Sequence, residues 1–271
     1  MNLTTTLWTT PLNNNRWDMK AKDALRNNLM MCALNVSYAK ESSAHITMHC
    51  NEEAYQYLEK FGYDDVFIDL NDLNIKKTSS TVMWAAGKFI SLSKEPIGTI
   101  HIDNDVFIKS PKCIEAMKFD DYDFICQNIE VCNYAEKEIF RELIPTVNMD
   151  VDYACCVGIV GFNNKELRDN YVNHYMYYVD NLQYDKKDDN KVNADLILEQ
   201  IYLYNQLDKY SCKFLIGDAR VDNMHQMQKK AVDIKFEHIL GPSKYIPYVL
   251  NKMYNELNKR NPKLYNLITN I

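Results

Sequence analysis

Apolar residues in this chain follow two rhythms. Short apolar runs alternate with longer segments whose apolar positions recur three or four residues apart. That alternation predicts an α/β domain. Leu3–Thr9 reads as a first strand ending at Pro11, followed by a helix with Leu25, Leu29, Cys32, Ala33 and Val36 on one stripe. His45–His49 reads as a second strand, Glu52–Lys60 as a short helix stopped near Gly62, and Val66–Leu70 as a third strand. Thr81–Lys94 reads as a helix halted before Pro96. Ile97–Ile108 is the most apolar strand candidate, interrupted by Asp103 and Asp105. Phe124–Gln127, Val157–Phe162 and Lys213–Ile216 read as further strands. Leu167, Tyr171, Tyr175, Tyr178 and Leu182 form one helical stripe, and Leu196, Ile197, Ile201 and Tyr204 another. The tail from Tyr245 reads as helix as far as a break before Pro262, and the polar stretch Asp185–Lys191 as a mobile surface loop. No internal repeat or low-complexity linker is visible, and 271 residues fit one large domain or two small ones.

Composition narrows the function. The chain has only 7 glycines, and neither G-x-G-x-x-G nor G-x-x-x-x-G-K-[ST] occurs. A glycine-loop dinucleotide site or a P-loop is therefore excluded, and bound phosphates must be held by other groups. The formal charge of −6 argues against a general nucleic-acid binder. The 46% hydrophobic fraction suffices for a packed core, yet no apolar run reaches the roughly 18–20 residues of a membrane span. The start, Met1 to Thr6, lacks the basic and apolar blocks of a secretory signal, so the expectation is cytoplasmic residence, with a peripheral place at the membrane left open. The 8 cysteines are scattered without C-x-x-C and read as buried reduced thiols. The many asparagines follow no visible pattern and read as solvated surface.

The most informative segment is His101-Ile102-Asp103-Asn104-Asp105-Val106-Phe107-Ile108. Residues two apart in a strand share a face, so Asp103 and Asp105 are expected to project together. Paired carboxylates repel, and burial raises the cost. A divalent cation such as Mn²⁺ or Mg²⁺ removes it. A strand end where both aspartates make turn or cap hydrogen bonds is the alternative. The pattern resembles two enzyme families. Sugar-nucleotide transferases of the GT-A type carry D-x-D at the end of a central strand. Haloacid-dehalogenase-like phosphatases carry D-x-D-x-[TV], and Gly217-Asp218-Ala219-Arg220-Val221-Asp222 resembles their late acidic motif.

His238-Ile239-Leu240-Gly241-Pro242-Ser243-Lys244 separates the two, because it resembles the H-x-x-G-x-x-K signature of family 8 glycosyltransferases. The resemblance implies a single domain with a GT-A fold, a mixed central sheet flanked by helices. Residues 1–108 would form the nucleotide-binding half, 109–247 the acceptor half, and 248–271 a helical tail. It implies Mn²⁺ (or Mg²⁺) held by Asp103, Asp105 and His238, with Lys244 beside a diphosphate and Gly241 allowing close backbone approach. Trp8 and Thr9 would meet the base and ribose, with Asn104 and Lys88 near the nucleotide. Glu199-Gln200 resembles the family's D-Q dipeptide, and Glu199 is a candidate contact to donor or acceptor sugar. Cys156 stands where the family usually has asparagine. Gln127, Glu130 and Tyr134 would face the acceptor, and His101 would support the site or simply pack. The implied activity is transfer of a sugar, with retention, from a nucleoside diphosphate sugar, with UDP expected, to a glycan, lipid-linked, protein or small-molecule acceptor. Phosphatase chemistry and a non-catalytic sugar-nucleotide-binding module remain the alternatives. The oligomeric state is open.

Overall fold

The computed structural model describes residues 1–13, 19–75, 82–182, 184 and 193–271; the loop expected at 185–191 lies outside them. The first half builds parallel strands. β1 (Asn2–Leu7) is followed by a single turn, α1 (Thr10–Asn13), and the long helix α2 (Ala21–Glu41). β2 (His45–Cys50), α3 (Glu52–Leu58), β3 (Asp65–Ile68), α4 (Ala86–Lys94) and β4 (Ile100–Ile102) follow. The chain continues through β5 (Val106–Ile108), α5 (Pro111–Ala116), β6 (Phe124–Val131), α6 (Glu136–Phe140), β7 (Tyr153–Phe162) and α7 (Lys165–Asn181). A π-helical turn, Leu196–Ile201, runs into α8 (Tyr202–Tyr204), β8 (Cys212–Asp218), α9 (Met224–Ile234), β9 (Phe236–His238), α10 (Pro247–Arg260) and α11 (Pro262–Thr269).

Seven strands form one mixed sheet in the order β3-β2-β1-β4-β7-β6-β8. The strands β3, β2, β1 and β4 are parallel; β7 lies antiparallel between β4 and β6, and β8 is parallel to β6. Two apolar cores cover the two faces. One packs α2, α10 and α11 with β5, and the other packs α4, α7 and the π-helical turn. The α/β architecture is the one the sequence rhythm predicts, and the mixed, helix-flanked sheet is the one the family resemblance implies.

The structure corrects two expectations. Ile97–Ile108 is not one strand. β4 belongs to the large sheet, whereas β5 pairs with β9 in a separate two-stranded ladder. The Asp103–Asp105 segment between them is a turn, closed by Val106 N donating to Asp103 O (3.0 Å), so the two aspartates do not share a strand face. The asparagines are not all solvated surface either. Asn27, Asn28 and Asn35 are buried on α2. Asn35 Nδ2 donates to Val106 O (2.8 Å) and Asn28 Oδ1 accepts from Asn104 (3.3 Å), so α2 grips the turn. The tail is helical on both sides of the break before Pro262. Asn261 accepts from Leu264 N (3.1 Å) and proline occupies the first turn, where its missing N–H is not needed. All eight cysteines are free thiols, seven of them buried.

Candidate active site

The β4-to-β5 switch builds the site. In open α/β sheets ligands bind outside the carboxyl ends of the strands, where strand direction or order changes. The C-terminal end of β1 and the turn after β4 lie at such a place, and they border one cleft. Leu7, Trp8, Trp84, Lys88, Asp103, Asp105 and Lys244 are among its lining residues. Asp103 leaves the sheet while its N–H still donates to Gly158 O on β7 (2.9 Å), which fixes its backbone.

Asp103, Asp105 and His238 each offer one ligand atom, and these atoms lie within 4.8 Å of one another. Two carboxylates and an imidazole are a donor set that suits Mn²⁺ or Mg²⁺. His238 arrives from β9, whose pairing with β5 sets His238 opposite Val106. Its Nδ1 donates to Gln127 Oε1 (2.7 Å), and its Nε2 stands 3.4 Å from Asp105 Oδ1. With Nδ1 committed to Gln127, Nε2 is the ring nitrogen left to face the carboxylate, and the one that would ligate a cation there. A side chain on Gly158 would fall 2.4 Å from His238 Cε1 and 2.8 Å from Gln127 Oε1, so this glycine makes room for the imidazole.

Two buried lysines balance the carboxylates. Lys244 Nζ donates to Asp105 Oδ2 (2.6 Å). Burial alone would raise the Asp105 carboxyl, but Lys244 and His238 outweigh it and hold Asp105 below the usual carboxylate range. Lys88 Nζ donates to Val157 O (3.0 Å), pairs with Asp103 Oδ1 (2.9 Å) and bonds Glu199. Burial pushes the Lys88 ammonium down, yet Asp103 and Glu199 raise it above its ordinary value. Glu199 is 3% exposed and is pushed up to about 8, first by burial and further by Asp103 and Asp195, against Lys88. It sits on the π-helical turn, an irregularity frequent at functional sites.

The other expected residues are placed as follows. Trp8 lines the cleft and donates Nε1 to Asn74 Oδ1 (2.8 Å). Thr9 is buried and bonds Asn51 (2.7 Å) and Glu53, outside the cleft lining. Asn104 lines the cleft. Gly241 has φ +54, with nothing within 4 Å of where a Cβ would stand. The Tyr134 hydroxyl lies 2.5 Å from Glu130 Oε1 and 2.6 Å from Gln200 Oε1. Gln127 and Glu130 border a groove on the other side of His238, with Ile216, Met227 and Leu240. His101 is buried, 3.7 Å from Asp103 and 3.3 Å from Thr6. Cys156 is a buried thiol that burial pushes well up. Asp218 and Asp222 of the phosphatase-like motif bond Arg220 (2.6 Å) and the Asp218 N–H (2.9 Å), and neither lines the Asp103 cleft.

Sequence reasoning missed Asn28, Asn35 and the role of Gly158. The asparagine signal was available: two amides seven residues apart interrupt an apolar helical stripe. The partner of Gly158 could not be read, because it is 80 positions away along the chain.

Several solved structures resemble the chain distantly. One is the galactosyltransferase LgtC in complex with donor and acceptor sugar analogs, at 10% identity and TM-score 0.40, over 68% of this chain and 67% of that one. The glycosyltransferase GlyE of Streptococcus pneumoniae TIGR4 is 10% identical at TM-score 0.40, over 94% of this chain and 63% of its own. Mouse xyloside xylosyltransferase 1 is 12% identical at TM-score 0.38, over 97% and 82%. Similarity of this degree carries no argument about chemistry, which must come from the residues above. No curated protein sequence matches the chain. Residues 1–271 match the model of DUF6734, a family of unknown function, and the protein belongs to that family.

Proposed function

We propose that this protein is a metal-dependent glycosyltransferase of the GT-A type. It moves a sugar from a nucleoside diphosphate sugar, with UDP as the expected nucleotide, to an acceptor hydroxyl with retention. The observation that carries this reading is the convergence of Asp103, Asp105 and His238 beside a cleft that also holds Trp8, Lys88 and Lys244. These three residues would hold Mn²⁺ or Mg²⁺. Bound there, the cation supplies charge stabilisation to a departing diphosphate.

The chain's own groups do the rest. Trp8 and Asn104 line the nucleotide side, within a unit spanning 1–108. Lys244 offers an ammonium to the diphosphate, and that attraction strengthens as negative charge grows on the leaving oxygen. Lys88 and Glu199 hold Asp103 in place from beneath, a positioning role. Gln127 orients His238 and borders the groove where the acceptor would enter from the 109–247 side. The separation of Asp218 and Asp222 from Asp103 disfavours phosphatase chemistry.

The test is a panel of sugar nucleotides with Mn²⁺ or Mg²⁺, read by binding and by slow donor hydrolysis. One sugar nucleotide should bind and be hydrolysed, and chelation should stop hydrolysis. Asp105→Asn should lower it at least about 100-fold. Binding of no sugar nucleotide, with Asp105→Asn equal to the native protein, would sink the reading. Phosphate release from small phosphomonoesters would replace it.

A further inference from the structure

The carboxylates that a cation needs are already occupied by internal cations. Lys244 bonds Asp105 at 2.6 Å, and Lys88 pairs with Asp103 at 2.9 Å. The two lysines are anchored differently. Lys88 rises from α4 and bonds Val157 O, Asp103 and Glu199, so three acceptors hold it beneath the site. Lys244 belongs to the short turn Gly241–Tyr245. That turn is entered through Gly241, at a φ of +54 and with open space around it. Lys88 thus sits on a regular helix, and Lys244 on a short turn beside a glycine. A divalent cation touching Asp105 would stand against the Lys244 ammonium, and at such distances like charges in a buried site repel strongly. Displaced alone, Lys244 would lose its anion, a loss that a diphosphate beside the cation would make good.

We propose that Lys244 is an internal counter-cation that competes with the divalent metal for Asp105. A nucleoside diphosphate releases it by giving the ammonium a new partner. Metal and diphosphate therefore bind jointly and each poorly alone. This rests on the reading of the site given above.

The experiment counts free Mn²⁺ by electron paramagnetic resonance while full-length protein is titrated. It is run with and without saturating UDP, with GDP in parallel, against protein-free controls for chelation by the nucleotide. The native protein should take Mn²⁺ at least about tenfold more tightly when nucleotide is present. Lys244→Met should take Mn²⁺ alone at least about tenfold more tightly than the native protein, and gain less than about threefold from nucleotide. Lys244→Met binding Mn²⁺ alone no better than the native protein overturns the inference and leaves the transferase reading standing. So does a native protein that binds Mn²⁺ equally well with and without nucleotide, a comparison that does not depend on the variant folding. If neither protein takes Mn²⁺ with any nucleotide, both the inference and the transferase reading fall.

Discussion

Two of the histidines that stand beside carboxylates, the buried His49 and the half-buried His238, do different work. His49 on β2 has Nδ1 at 2.8 Å from Asp69 and Nε2 at 2.8 Å from Glu95. Both nitrogens face anions, so both donate, and the ring is held as a cation. Burial lowers the His49 imidazole, but the two carboxylates outweigh it and raise it above its ordinary value. His238 spends one nitrogen on a neutral amide, Gln127, and keeps the other turned toward Asp105. The His49 cluster is closed and holds the sheet to Asp69 and Glu95. The His238 cluster turns Nε2 toward Asp105, with Asp103 also near, where a cation could sit. Proximity of histidine and acid therefore does not mark a metal site; what matters is the partner on the second nitrogen.

Lys88 offers the strongest way to break this contrast, because it is a closed ion cluster inside the open site. Lys88→Met leaves Glu199 buried without its cation and Asp103 without its anchor. Removing one partner of a buried pair costs about 3–5 kcal/mol. We expect a loss of that size in urea unfolding at about pH 8. Glu199 already titrates high, so it takes up a proton more readily once Lys88 is gone, and the loss should shrink toward about pH 6. A pH-independent loss under about 1 kcal/mol would mean that the Lys88 network carries little of the fold.

Gly158→Ala sharpens the contrast at smaller cost. The new methyl meets the ends of two side chains, His238 and Gln127, and not backbone. Both must shift to admit it, so stability should fall by about 1–3 kcal/mol. The imidazole, however, must leave the position that turns Nε2 toward Asp105. Mn²⁺ affinity in the presence of nucleotide should drop about 10–100-fold, the range seen when the support of a ligand is lost. An alanine variant with unchanged metal affinity would detach His238 from the site.

Much of this was legible in the sequence, and the failures have physical causes. The period-3.6 stripes located α2, α4 and α7 because each buries one face. The two motifs, D-x-D and H-x-x-G-x-x-K, named the residues that converge. What misled was treating Ile97–Ile108 as a continuous strand. Alternation alone does not show that a pair of aspartates with an intervening asparagine ends one ladder and lets the chain enter another. Asn35 decides this, by bonding carbonyls on both sides of the turn, at 3.4 Å to Asp103 O and 2.8 Å to Val106 O. The π-helical turn carrying Glu199 was also hidden, since one extra residue per turn barely alters an apolar stripe of this length. β9 was unreadable because a three-residue strand has no periodicity to show.

The smallest effect tests the closed half of the contrast directly. His49 faces Asp69 and Glu95; Lys94 reaches Asp69 at 3.1 Å, and the Phe67 ring packs beside the imidazole. A histidine raised in the folded state binds its proton more tightly there than in the unfolded chain. Its stabilisation is therefore fully present below the unfolded value of about 6.5 and is lost as pH rises through the folded value. The slope cannot exceed about 1.4 kcal/mol per pH unit. His49→Gln keeps two hydrogen-bonding ends without a titrating proton. Subtracting its unfolding free energy from that of the native protein, pH by pH, cancels the other histidines. The difference should be largest on the acid side and decline above about pH 6.5. A difference that is flat with pH would mean that His49 is not held as a cation, and the distinction between a closed and an open histidine would need another basis.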